Sequence, residues 1–426
     1  MAVGMVLLVY LSARELLPDG PALFAALLAG LCAPLAYYAK TANLEAPYLF
    51  WFSAALLAYL RLLKRHRLRD YVALAACAAA AIATKDQAYG LFVLMAPAVA
   101  LALHRHRAAS GQKASALATL SDRRLLAAAA TAVGGVVVLD NAWLDPSGFA
   151  AHLRLITGAA SRDFRMFEPS PSGYVALGLA TLRAIVFTMG VPALCAALAG
   201  LALAAARPRE HRLLLATLVP ALSYGLTFIA VVLYVYDRFV LPIAIVLALF
   251  AGRALAEALA RSRARWAPTA AAALVVAFSA LRVLSVDVLM ARDSRYAAEE
   301  WLREHEPPPA LVAATGPLEY LPRMDGLQWR RMGPALDRLR RVDPDFVVVN
   351  DDFARRAVPG GSDADLYAAL ATGQAGYRLA REETPPATLP FLDTGAFRGE
   401  DPARIHSNLD KVGPRILIYA RAGAGR

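Results

Sequence analysis

RLLKRHRLRDYVALAACAAAAIATKDQAYG, residues 61–90, carries the pattern on which the fold turns. A basic cluster, Arg61–Arg69, leads into an Ala-rich apolar run, and the run stops at a second charged pair, Lys85 and Asp86. An apolar helix bounded by charge at both ends suits a bilayer, whose hydrocarbon core offers backbone groups no partner outside the helix. The same unit repeats outward in both directions. Apolar runs near 3–17, 21–39, 47–63, 70–85, 88–104, 124–143, 188–206, 212–235, 238–258 and 266–288 predict about ten spanning helices. Those at 70–85 and 88–104 are short and need help from neighbours. The stretch 173–187, GYVALGLATLRAIVF, carries Arg183 and is expected to lie along the interface as an amphipathic helix.

The rest of the composition agrees. Of 426 residues, 58% are hydrophobic, so the first two-thirds of the chain lacks the polar surface a soluble protein needs. The net charge of +11 does not point to nucleic acid, because no basic run is interleaved with aromatics. Much of it lies in short loops between apolar runs (Arg61–Arg69, Arg105–Arg124, Arg207–Arg212, Arg253–Arg265), the pattern of cytoplasmic loops. Parity then puts both termini outside, with outer loops at 40–47, 85–89, 141–173 and 235–238. No basic region precedes the first apolar run, so no cleaved signal peptide is expected. Cys32, Cys77 and Cys195 fall within apolar segments and read as small core residues. The excess of Arg over Lys and the abundance of Ala suggest a GC-rich bacterial genome.

Near residue 290 the character changes. LVAAT (311–315), FVVVN (346–350) and ILIYA (416–420) read as strands, and 332–341, 352–357 and 364–372 as helices or helical turns. Two domains are expected: a polytopic all-α membrane domain over 1–289 and an extracytoplasmic soluble α/β domain over 290–426. No Gly-rich phosphate loop follows any of these strands. Trp301, Tyr320, Trp329 and Asn408 could contact an acceptor or pack that domain onto the membrane part, and packing is the favoured reading.

Ionisable residues at membrane depth are functional candidates because burying them is costly. They gather at the expected outer face: Lys40 and Glu45, Lys85 and Asp86, Asp140 and Asn141, Asp237 and Arg238. Lysines acting as point charges and an Arg fork would suit a phosphate-bearing ligand. The plainer alternative is that charged helix ends only snorkel, and for Lys40 that alternative leads. A Lys–Asp pair in a tight outer turn is topologically unhelpful, so function leads for Lys85. Arg238 with Asp237 could be a self-contained surface pair. Glu45, before an aromatic helix start (Tyr48, Phe50, Trp51), is the best candidate for chemistry, although a carboxylate at a helix start is also favoured by the macrodipole. His152 lies in the long outer loop, where 146–154 could form an amphipathic surface helix, and a lone loop His is more often a bystander. No histidine spacing suggests a metal site.

Together these stretches resemble a known family. CAPLAYYAKTANLEAPYLFWF (32–52), the run at 61–90, NAWLDPSGFAAHL (141–153) and YDRFVLPI (236–243) follow the order seen in the C-fold membrane glycosyltransferases, in particular the bacterial protein O-mannosyltransferase and lipid A aminoarabinose transferase group. The resemblance covers roughly residues 1–290. It implies an inverting sugar transfer from a polyprenyl-phosphate donor to an acceptor glycan, lipid or protein at the outer face of the bacterial inner membrane. It places Lys85 and Arg238 on the lipid phosphate, with Asp86, Lys40 and His152 as further substrate-binding candidates. Glu45 takes the position of the family's second acidic residue, which supports a divalent cation or the site geometry. The resemblance also puts Met1 at the family's second helix. The family's first helix and first outer loop, with its main catalytic carboxylate, then have no counterpart here, through a misplaced start or an incomplete, inactive chain. A flippase for a lipid-linked sugar is the alternative from another class, but it should concentrate charge at the bilayer midplane in repeated halves. A non-catalytic membrane scaffold is the third.

Overall fold

The computed structural model describes residues 1–158, 162–264, 266–305, 310–351, 354, 360–384, 387–398, 401 and 403–422. The chain forms two units. One comprises Met1–Leu284 with Gly399–Ser407, the other Ser285–Arg398 with Asn408–Arg426. A short stretch from late in the sequence therefore groups with the helices of the first unit.

The first unit is helical. Its main helices are α1 (Ala2–Arg14), α2 (Asp19–Gly30), α3 (Ala33–Lys40), α4 (Glu45–Arg65), α5 (Leu68–Thr84), α6 (Asp86–Ala109) and α7 (Arg123–Leu139). They continue as α8 (Pro146–Thr157), α9 (Pro171–Met189), α10 (Val191–Ala206), α11 (Arg212–Val232), α12 (Asp237–Arg261) and α13 (Trp266–Ala291). The expected count of ten spans is not met. Among the described residues six helices are long and apolar enough to cross a bilayer, or seven if α2 and α3 form one bent span. The reason is length: α1 has 13 residues, α10 has 16, and α5 and α7 have 17 each. At 1.5 Å per residue these reach about 20–26 Å, short of a hydrocarbon core of about 30 Å.

The break between α2 and α3 bends the chain by 64°. Pro34 sits in the first turn of α3, where its missing N–H is tolerated but a continuous helix is not. By contrast α4, with 21 residues, is unbroken. Its ends are about 30 Å apart, with Glu45 at one and Arg61, Lys64 and Arg65 around Glu15 at the other. These two ends, the Glu45 end and the basic end, give the unit its polarity.

Close helix approach depends on small side chains, as it must where lipid offers no hydrophobic drive. In α10 the buried residues Ala193, Ala197, Gly200 and Ala204 form one stripe, and α10 packs against α12. A Cβ added at Gly200 would run into the backbone carbonyl of Phe250 in α12. On the other side of α12, a Cβ at Gly252 would lie 2.7 Å from the carbonyl oxygen of Pro21 in α2.

Helix α9, expected along the interface, has the length and composition to cross. Just before it, the Met166 and Phe167 N–H groups donate to Leu233 O (3.0 and 3.1 Å), at the far end of α11 from the basic loop 207–212. At its other end, the Arg282 guanidinium of α13 donates to the carbonyls of Phe187 and Thr188. Arg282 is 5% exposed and in this way satisfies carbonyls left open at the C-terminus of α9. The chain then turns through Gly190 (φ 79°), where a Cβ would lie 2.9 Å from that guanidinium.

The second unit holds a five-stranded sheet. The strands β1 (Val312–Thr315), β3 (Phe346–Asn350) and β5 (Ile416–Arg421) lie where the apolar runs place them, and β2 (Trp329–Met332) and β4 (Tyr377–Glu383) are additional. The order is β2-β1-β3-β5-β4, with β1 parallel to β2 and β3, and β5 antiparallel to β3 and β4. Alternate residues serve opposite faces. Ala313, Val347 and Val349 pack with Leu339, Leu366 and Leu370 of α15 (Leu336–Val342) and α16 (Ser362–Ala371). Val312, Ala314 and Val348 pack with Ala298 and Leu302 of α14 (Ser294–His305). The helical turn expected over 352–357 lies outside the described residues, save Ala354.

Gly200→Val is expected to destabilise the protein by at least about 1–3 kcal/mol, read as a lower Tm in detergent. Gly134→Val, where a Cβ meets nothing within 4 Å, should leave Tm within experimental error.

Candidate active site

Three chain segments converge at the Glu45 end. The first is the start of α4. Glu45 opens the helix, where the positive end of the dipole favours a carboxylate, and Asn43 Oδ1 lies 3.4 Å from its backbone N–H. The second is the junction of α5 and α6. Lys85 is extended (φ −158°), so α5 stops at Thr84 and the chain re-enters helix through a 3-10 turn at Asp86–Ala88. The third is the 3-10 start of α12, Asp237–Val240.

Glu45 is fully buried. Its Oε1 takes the Lys85 ammonium as an ion-pair partner and has Arg238 Nε at 3.6 Å. The Lys85 side chain is 18% exposed and that of Arg238 25%, so each cation keeps an accessible side. Lys85 Nζ also lies 5.5 Å from the centre of the Tyr48 ring, and the Arg238 guanidinium 4.8 Å from that of Tyr236. Glu45 Oε2 has no hydrogen-bond partner among the described residues. The buried hydroxyls of Tyr48 and Tyr224 and the Gln87 amide lie close by.

Asp237 does not form the self-contained pair with Arg238 that the sequence left open. Fully buried, it accepts from the Tyr38 hydroxyl (2.8 Å) and from Ser407, and its N–H donates to His406 O at 2.9 Å. With Asp237 so engaged, Arg238 is directed to Glu45.

Lys85 and Arg238 both line a cleft of about 620 Å³. One wall is α8, whose residues Phe149, His152, Leu153 and Ile156 share a face at helical spacing. Pro146 occupies its first turn, and Asp145 accepts from the Gly148 N–H at 2.8 Å and the Ser147 hydroxyl at 2.7 Å, which holds the Asp145 carboxyl below its ordinary pKa. His152 Nε2 lies 2.9 Å from Asp86 Oδ1, and Asp140 lines the same cleft. The opposite wall carries Phe228, Val231 and Val232 of α11, beside a π-helical turn at Gly225–Ile229.

Five of the six candidate residues thus meet at one place. Glu45, Lys85 and Arg238 form one cluster, and Asp86 pairs with His152 across the adjoining cleft. Lys40 is exposed at the last position of α3 and does not line the cleft. Tyr48 could have been picked out, one turn after Glu45 on the same helix face. Tyr224 and Ser407 carry no local signal.

The donor set does not fit a divalent cation. Glu45 is already held by two cations, which would repel a third. No group of three His, Cys, Asp or Glu side chains placed to hold a metal occurs among the described residues.

Residues 1–121 match the family of dolichyl-phosphate-mannose-protein mannosyltransferases. That match bears out the resemblance to C-fold membrane glycosyltransferases and supports a glycosyltransferase. It covers the helices that supply Glu45, Lys85 and Asp86. No curated protein sequence matches the chain. Among solved structures, the cryo-EM structure of the arabinofuranosyltransferase AftD from Mycobacteria aligns with 100% of this chain at 16% identity and a TM-score of 0.40. The Archaeoglobus fulgidus oligosaccharyltransferase, solved with Zn and sulfate, aligns with 91% of it at 16% identity and a TM-score of 0.42. The chain spans 34% of the first structure's length and 60% of the second's.

Removing the central carboxylate leaves two cations facing each other. Glu45→Ala is expected to cost up to about 3–5 kcal/mol, measured by thermal unfolding in detergent. Combining Glu45→Ala with Lys85→Met should recover a large part of that loss, and an effect equal to the sum of the two single variants would mean the pair is not coupled.

Proposed function

We propose that this protein is an inverting membrane glycosyltransferase that moves a sugar from a polyprenyl-phosphate carrier to an acceptor at the outer face of the bacterial inner membrane. The observation that carries the proposal is the pair of partly exposed cations, Lys85 and Arg238, set over a buried carboxylate at the edge of an apolar-walled cleft. Two cations, each with an accessible side, suit a phosphate, whose charge grows as the sugar leaves.

The reaction forms a bond from the acceptor oxygen to the anomeric carbon. The bond from that carbon to the phosphate oxygen breaks, and the phosphate departs with the electron pair. Lys85 supplies a compact charge and Arg238 a planar fork, so together they hold the leaving group in place. In this reading Glu45, buried beneath both, positions them. The apolar walls suit the isoprenoid tail, and the basic loops at the opposite end of the bundle support an outward-facing site. The family match over residues 1–121 agrees with a lipid-phosphate sugar donor.

Membranes containing the protein, supplied with a panel of radiolabelled polyprenyl-phosphate hexoses and pentoses, should transfer label to an acceptor fraction. Lys85→Ala and Arg238→Ala should each reduce transfer by about 10²-fold or more, while Lys40→Ala retains it. Absence of transfer from every donor by the unaltered protein would reject the proposal.

A further inference from the structure

Helix α8 presents an apolar face to the cleft, and one residue on that face is out of character. Phe149, Leu153 and Ile156 are apolar, but His152 stands among them. An imidazole in such a place is ordinarily either exposed and idle or held by a partner. Here it is held. Asp86 Oδ1 lies 2.9 Å from Nε2, and the two residues are 66 positions apart, so the pairing is a product of the fold. Both side chains are about half exposed, which leaves them accessible from the cleft.

The pairing fixes the roles of the ring nitrogens. A carboxylate accepts only, so Nε2 carries the proton that Asp86 receives in hydrogen bonding. In the neutral ring Nδ1 is then the lone-pair nitrogen, and it has no hydrogen-bond partner among the described residues. A carboxylate that fixes the tautomer of an imidazole and stabilises its protonated form is the arrangement that turns histidine into a general base. Position in the chain adds a constraint. Asp86 directly follows Lys85, so the residue that holds His152 is tethered to the residue placed on the phosphate.

We propose that His152 is the general base that deprotonates the acceptor hydroxyl, with Asp86 as its positioning residue. This rests on the glycosyltransferase reading above. The acceptor O–H proton passes to Nδ1, the freed oxygen bonds to the anomeric carbon, and the carrier phosphate leaves with the electrons of the broken bond. The imidazolium later loses its proton to solvent. The assignment implies an acceptor that bears a hydroxyl group and enters along α8, opposite the apolar wall of α11. The charged and titratable groups that line the cleft with His152 are Asp86, Asp140, Lys85, Arg238, Tyr89 and Tyr234.

The test is the pH dependence of transfer by the full-length protein in detergent, using the radiolabelled donors above with saturating membrane acceptor. His152→Ala should lower kcat by about 10²–10⁴-fold with little change in KM for the donor. The fall in rate on the acid side, where the imidazole protonates, should disappear in that variant. Asp86→Asn removes the carboxylate that fixes the His152 tautomer, so it should lower kcat by less than His152→Ala does, with little change in KM for the donor. A His152→Ala variant that keeps both its kcat and its acid limb would overturn the assignment while leaving the transferase reading intact. So would a His152→Gln variant that restores wild-type kcat, since an amide can fill space and donate but cannot take up the proton. If the unaltered protein transfers no sugar, both the reading and this assignment fall.

Discussion

Glu45 is a carboxylate with no exposed surface at the end of a membrane-spanning helix, and such a group can stay charged only if cations come to it. Two do, and they arrive from different parts of the chain. Lys85 comes from the junction of α5 and α6, and Arg238 from the start of α12. The requirement to neutralise one carboxylate therefore fixes three helix ends against each other. It also leaves each cation with an open side, toward the cleft. The other end of α4 shows the contrast: Glu15 gathers Arg61, Lys64 and Arg65, but those cations are 30–38% exposed and their pairing is worth correspondingly less.

Further ties support this cluster. Asp237 is held by Tyr38 and Ser407, which keeps Arg238 directed at Glu45. Tyr38, which donates to Asp237, lies on α3, the helix bent by 64° from α2. Ser407 comes from the late stretch of chain that belongs to the helical unit. Arg282, capping α9, and the small-residue stripe of α10 against α12 hold the frame within which these contacts form.

Much of this was legible in the sequence. Apolar runs bounded by charge mark the helices, and the turn ATKDQAYG (83–90) shows where α5 must stop. Three short apolar runs give three of the five strands. What the sequence could not convey is length and direction. A helix such as α10 is apolar throughout yet too short to cross alone, and a hydropathy pattern does not say so. The strands β2 (WRRM) and β4 (YRLAREE) have exposed, charged faces, so they lack the apolar run that reveals β3. In the candidate site the residue types pointed to Glu45, Lys85 and Arg238, because charge at membrane depth demands a reason. The partnership of Asp86 with His152 had no local signal, since it joins a tight turn to a surface helix distant in the chain.

The central claim is that Lys85 and Arg238 recognise the phosphate of a lipid carrier. The most direct measurement compares binding of undecaprenyl phosphate and of undecaprenol to the purified full-length protein, with and without Lys85→Ala and Arg238→Ala. The account predicts that the phosphate form binds more tightly than the alcohol by at least about tenfold, the worth of one charge-assisted contact, and that either substitution removes most of the difference. Equal binding of the two lipids, or a preference that survives both substitutions, would contradict it.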